Sequence, residues 1–228
     1  MLTFEKLLSS DIDDINLAAG EPEPDFDEKQ DVAILTPDES LDGSEAPPLA
    51  NDFEGIRMKY LPESPELETA AEGIHTWKIT NWERMSKKEH GPIFEVGGSP
   101  WRVLFFPYGN NAEFASFYLE HGFEDKPPED WYACVQFTLV LWNPNDPSIY
   151  TTHEATHRFS VEEGDWGFTR FCELRKLFRG WNAEGRPLIE NDAANMTAYV
   201  RVVKDPTGVL WHNFIKYESL GLGLIYTC

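Results

Sequence analysis

The residues of this chain best suited to chemistry lie in one ten-residue stretch, Glu162-Glu163-Gly164-Asp165-Trp166-Gly167-Phe168-Thr169-Arg170-Phe171. It sets a carboxylate, a large indole, a flexible glycine and a second aromatic side by side. An indole face stacks well on Pro or Ala, and a carboxylate accepts a hydrogen bond from a hydroxyl. The stretch has no obvious nucleophile, base or metal cage. It suits non-covalent capture of a peptide better than catalysis. The alternative is structural: Trp166 and Phe168 are core residues, and Asp165 caps a following helix.

Other chemistry-bearing residues reduce to simpler roles. His153-Glu154-Ala155-Thr156-His157 has the spacing of a zinc protease motif, which needs a helix to bring both imidazoles to one metal. Here it follows a Pro-rich turn and feeds a strand, so no metal site is expected. Cys134, Cys172 and Cys228 are scattered, without disulfide or metal spacing. Cys134 lies mid-strand, the setting of a buried inert thiol, and Cys172 falls in a short predicted helix. The paired acids Asp13-Asp14 and Glu162-Glu163 read as solvated charge. No catalytic residue, metal or cofactor is assigned.

The elements that must position the Asp165 stretch are strands. Thr76–Ile79, Pro92–Val96, Trp101–Phe106, Phe114–Leu119, Trp131–Trp142, His157–Val161 and Met196–Val203 are short, apolar or alternating, and bounded by turn residues. In the longest, Val135, Phe137, Leu139 and Leu141 point one way and Tyr132, Cys134, Gln136, Thr138 and Val140 the other. Only Phe171–Phe178 has helical spacing, through Leu174, Leu177 and Phe178. Seven or eight strands without βαβ alternation predict an all-β antiparallel sandwich with one short helix.

Charge separates this domain from what precedes it. Residues 1–72 hold 20 Asp+Glu and 4 Lys+Arg, a net −16. Residues 73–228 hold 20 and 15, a net −5, and all eight Trp. The first part reads as an acidic disordered arm and linker. Deleting residues 1–70 is then expected to leave the melting temperature near its starting value. Such an acidic chain suits no nucleic-acid partner, since phosphate repels it. No stretch approaches the roughly 20 apolar residues of a membrane span. The first residues do not read as a signal peptide. A soluble protein of the nucleus and cytoplasm is expected. No heptad coiled coil precedes the domain, so a monomer is expected rather than a trimeric scaffold.

The strand series, taken with Thr76-Trp77-Lys78-Ile79-Thr80-Asn81-Trp82, Pro100-Trp101-Arg102-Val103, Phe106-Pro107, Asp165-Trp166-Gly167-Phe168, Ala198–Val203 and Gly208-Val209-Leu210-Trp211, resembles the MATH (meprin and TRAF homology) domain. The likeness covers about residues 73–215. It is strongest to the N-terminal MATH domain of the herpesvirus-associated ubiquitin-specific proteases, fungal members above all. The resemblance implies an eight-stranded sandwich that docks short Ser-containing linear motifs beside an edge strand. It implies that Asp165, Trp166, Gly167 and Phe168 form the contact strand and Tyr118 the opposite wall. Arg170 stands where mammalian members carry Asn, and Tyr108 where they carry a peptide-binding Arg. The implied role is selecting substrates or partners in ubiquitin removal. The alternative is a shortened form of a thiol-dependent deubiquitinase, since the Cys and His boxes of that protease are absent. Residues 216–228 depart from the likeness.

Overall fold

Alternating apolar and polar residues fold into nine antiparallel strands among the residues that the computed structural model describes, 46–205 apart from 64, 66 and 110–112. In chain order these are α1 (Phe53–Tyr60), β1 (Glu68–Ile79), β2 (Glu89–His90), β3 (Phe94–Val96), β4 (Ser99–Phe106), β5 (Phe114–His121), β6 (Tyr132–Asn143), β7 (Asp146–Ser160), β8 (Asp165–Glu173), α2 (Leu174–Leu177) and β9 (Ala194–Lys204). One sheet has the order β1-β9-β6-β7. The other has the order β2-β4-β5-β8, with β3 also paired to β4. Residues 1–45 of the acidic arm, the Gly208–Trp211 segment and the tail 216–228 lie outside the described residues.

The two sheets bury one face each. Trp101, Val103, Phe105, Phe117 and Leu119 project from one sheet, and Val135, Phe137, Leu139, Met196 and Val200 from the other, all within a single core cluster. Phe and Trp rings meet there edge to face, as in Trp101–Phe159 at 5.0 Å and Phe117–Phe171 at 5.0 Å. The β3–β4 hairpin turns through Gly97 and Gly98, at φ 64° and 75°, conformations that side chains resist.

Three sequence expectations need correction. The acidic linker does not extend to residue 72: α1 and the start of β1 occupy its last part. Asp52 caps α1 by accepting from the Gly55 N–H at 3.0 Å. Ile56 and Leu61 pack with Ala50 on Val140, Trp142 and Tyr199, which project from the outer face of the four-stranded sheet. Thr138 Oγ1 donates to the Tyr60 carbonyl at 2.8 Å, and the buried Arg201 guanidinium donates to the Pro62 carbonyl at 2.8 Å and to the Glu72 carboxylate. The chain is acidic here, yet the apolar outer face of β6 and β9 needs a cover.

The helix predicted over Phe171–Phe178 is cut to Leu174–Leu177. Phe171 and Cys172 stay in β8, because Cys172 pairs with Ala115 of β5 and both side chains fill the core. The strand predicted at His157–Val161 is the end of the fifteen-residue β7, which leaves β6 at a tight turn and runs antiparallel along all of it.

Candidate functional site

Strand β8 lies at the end of its sheet. It pairs with β5 on one side, and among the described residues no strand pairs its other edge. The register sets Asp165 opposite Glu120, Trp166 opposite Leu119, Gly167 opposite Tyr118 and Phe168 opposite Phe117. Successive side chains of a strand take opposite faces. Asp165, Gly167 and Tyr118 therefore share the outer face, while Trp166 and Phe168 point inward beside β7. The carboxylate and indole, adjacent in sequence, reach the edge from its two sides.

Each residue has a definite setting. Asp165 is exposed, and its carboxylate makes no hydrogen bond to the described residues. Desolvation against the sheet, then the Glu120 carboxylate, raises its pKa above the ordinary value, with Lys88 and His121 acting the other way. Glu120 is itself engaged: Arg102 Nε donates to it at 2.6 Å, and His90 Nε2 lies 3.3 Å away. Asp165 thus keeps its lone pairs for an incoming hydroxyl or amide. Gly167 is required by close approach. A Cβ there would lie 2.4 Å from the Phe117 carbonyl oxygen and 2.5 Å from Tyr118 Cα.

Trp166 and Phe168 are half-buried and packed against the core margin. The His157 imidazole lies parallel to the Trp166 indole, centroids 4.1 Å apart and planes 5° apart. His153 lies 4.9 Å from the Phe168 ring and 4.8 Å from Phe171, and its Nε2 donates to the Phe171 carbonyl at 3.0 Å. Burial lowers the His157 pKa to about 4, despite Glu163 at 3.5 Å, so the stacked ring is neutral. The His-x-x-x-His pair that spaces like a metal motif is thus a pair of supports on β7, one behind each β8 aromatic.

Arg170 is exposed within the irregular stretch of the β5–β8 pairing, between Phe168 and Cys172, and its guanidinium lies over the Phe114 ring at 4.4 Å. Tyr118 is half-buried on the outer face and meets Phe106 edge to face at 6.0 Å. Tyr108 stands apart from these. It follows β4, two strands away, donates its hydroxyl to the Trp82 carbonyl at 2.9 Å, and has Glu83, Glu89 and Asp192 as charged neighbours. The structure thus brings Asp165, Gly167 and Tyr118 to one face, Trp166 and Phe168 to the other, and gives Tyr108 a structural bond elsewhere. Sequence reasoning missed Glu120 altogether, and it noted His153 and His157 only as a metal-like spacing, not as neighbours of the β8 aromatics. Period-two alternation places Glu120 on the Tyr118 face of β5 and His153 with His157 on one face of β7, but the contact of that face with β8 is made between sheets and has no local signal.

Both described cysteines are buried. Burial pushes the thiols of Cys134 and Cys172 up to about 11 and about 12, so neither is a ready thiolate nucleophile. Cys172 lies in β8, not in a helix. Among the described residues no group of three or more His, Cys, Asp or Glu is placed to hold a metal, and no helix is long and apolar enough to cross a membrane.

Comparison with known proteins matches residues 74–200 to the family model described as "MATH domain". The chain is 35% identical over 203 residues to ubiquitin carboxyl-terminal hydrolase 15 of Schizosaccharomyces pombe, covering 78% of this chain and 18% of that protein. It is 40% identical over 182 residues to ubiquitin carboxyl-terminal hydrolase 5 of the same yeast, covering 75% and 16%. Against ubiquitin carboxyl-terminal hydrolase 15 of Saccharomyces cerevisiae it is 39% identical over 174 residues, covering 70% and 14%. The chain matches less than a fifth of the length of each.

Proposed function

Since the chain belongs to the MATH domain family of protein-interaction modules, we propose that it docks short extended peptides along the open edge of β8. One observation carries this reading: a strand edge that no described residue pairs bears a carboxylate without a hydrogen bond among the described residues, two half-buried aromatics and a glycine. A peptide strand added there forms backbone hydrogen bonds, and its alternate side chains meet the two faces. On the inner side Trp166 and Phe168 offer apolar surface to a small residue or a proline. On the outer side Asp165 accepts from a Ser hydroxyl, with Tyr118 as the neighbouring wall. Arg170 supplies a cation toward the far end of the edge. Tyr108, two strands away, takes no part.

The matched relatives are ubiquitin hydrolases. Within such an enzyme the module selects which partner or substrate is brought to ubiquitin removal. The share of each relative covered, 14–18%, favours this second and larger reading, in which the chain corresponds to the recognition part of a deubiquitinase.

The test is binding to an array of short Ser-containing peptides, with Asp165→Ala/Trp166→Ala as the comparison. Micromolar binding that weakens at least tenfold in a double mutant that still folds supports the groove. Equal binding by both proteins rejects it.

A further inference from the structure

Trp166 and Phe168 sit at an open margin of the sandwich, where an aromatic side chain without support would swing between rotamers. Both have support from the opposite sheet. Residues 153 and 157 are four apart in β7 and share one face, while residues 166 and 168 are two apart in β8 and share one face. The two rows lie against each other, His157 on Trp166 and His153 on Phe168. His153 is further fixed by its bond to the Phe171 carbonyl. Among the described residues His157 Nε2 makes no hydrogen bond, Glu163 standing 3.5 Å away, so its ring is oriented chiefly by the indole stack and by its edge contact with Phe159 at 5.0 Å.

We propose that His157, seconded by His153, is a positioning residue of the peptide groove: its ring holds the Trp166 indole at the depth that an incoming side chain meets. The proposal rests on the groove reading above. A planar partner held parallel at 4.1 Å fixes both the tilt and the height of an indole, which an aliphatic residue of equal volume would not do. Holding the indole before the ligand arrives reduces the ordering cost of binding.

The fold supplies an internal control. At another place in the sandwich His75 of β1 stacks on Phe94 of β3, centroids 4.6 Å apart and planes 5° apart. This pair has the same chemistry and lies on strands other than β7 and β8. A role confined to sealing the sandwich would make His75 and His157 equivalent.

The experiment uses the full chain labelled with 5-fluorotryptophan, the Trp166 resonance being assigned with Trp166→Phe. Affinity is read with the best Ser-containing peptide from the array. His157→Ala should shift the Trp166 resonance and weaken binding at least tenfold. His157→Phe, which keeps a stacked ring, should restore affinity to within about twofold. His75→Ala should leave affinity within twofold. If His157→Ala fails to fold, His157→Gln, which keeps bulk without a ring face, takes its place in both readouts. An unmoved Trp166 resonance, an unchanged affinity, or an equal loss in His75→Ala overturns the proposal. If no peptide binds the wild-type chain, the groove reading falls and this role falls with it; a Trp166 shift in His157→Ala would then mark the stack as structural only.

Discussion

The segment before β1 provides a sharp test of how the domain holds together. Ile56 of α1 is fully buried against Val140, Trp142 and Tyr199. Ile56→Ala removes three carbons, worth about 2.4 kcal/mol at ~0.8 kcal/mol each. The space left behind adds to this, and measured changes of this kind span roughly 2–5 kcal/mol. Taking ~3 kcal/mol, and roughly 2–4 °C per kcal/mol for a domain of this size, the melting temperature should fall by about 6–12 °C. The assay is thermal melting by circular dichroism, with hydrogen exchange of the Ile56 and Leu61 amides, which donate to the Asp52 and Arg57 carbonyls. Deleting residues 1–45 is the control, since it leaves in place every α1 contact described above. Deleting residues 1–70 removes α1 and the first residues of β1, and should cost more than Ile56→Ala. An Ile56→Ala protein that melts within a degree of wild type, with unchanged exchange at both amides, would refute the view that α1 is part of the folded domain.

Gly167→Ala should destabilise by at least about 1–3 kcal/mol, since the new methyl meets backbone atoms that cannot move aside; urea denaturation checks it, and a neutral result would mean that β5 and β8 separate freely. Trp101→Ala should cost about 3–5 kcal/mol, because its indole is fully buried and donates to the Val96 carbonyl at 3.1 Å; a wild-type melting curve would contradict that core role. Stability should also fall with acid through His157. Its folded pKa of about 4 lies below the ordinary 6.5, so the unfolded chain binds the extra proton. The His157 contribution is complete above pH 6.5 and is lost as pH falls toward 4. That gap amounts to roughly 3 kcal/mol. His157→Phe should flatten this part of the stability profile, and an unchanged acid limb would show that the ring is not buried neutral.

Strands β4, β5, β6 and β9 were legible in the sequence because each buries one regular row of large apolar residues. The Asp165–Phe168 stretch was legible for its unusual side chains, and its place at a sheet edge followed from the resemblance. The rest depends on contacts distant in sequence. In β7 the buried face mixes Ile149, Ala155 and Phe159 with His153 and His157, and the two imidazoles belong on that face only because Trp166, Phe168 and Phe171 of β8 lie against them. In α1, Ile56 alone is fully buried, and the segment looks like linker until Val140, Trp142 and Tyr199 are seen on an outer face. The apolar character of both faces of β6 was visible, but a sandwich accounts for only one of them. Phe171 and Cys172 continued a helical spacing, and long-range pairing with β5 prevailed over it.

The β8 edge, which no strand among the described residues pairs, also has a colloidal consequence. An open strand edge does not distinguish a ligand from the same edge of another copy, and exposed edges are a common route to aggregation. This chain carries a formal charge of −21, so copies repel before their edges can meet. Salt shortens the reach of that repulsion to about 10 Å at 0.1 M. The protein should therefore stay dispersed at low ionic strength and self-associate progressively as salt is raised, with peptide ligand opposing the change by occupying the same edge.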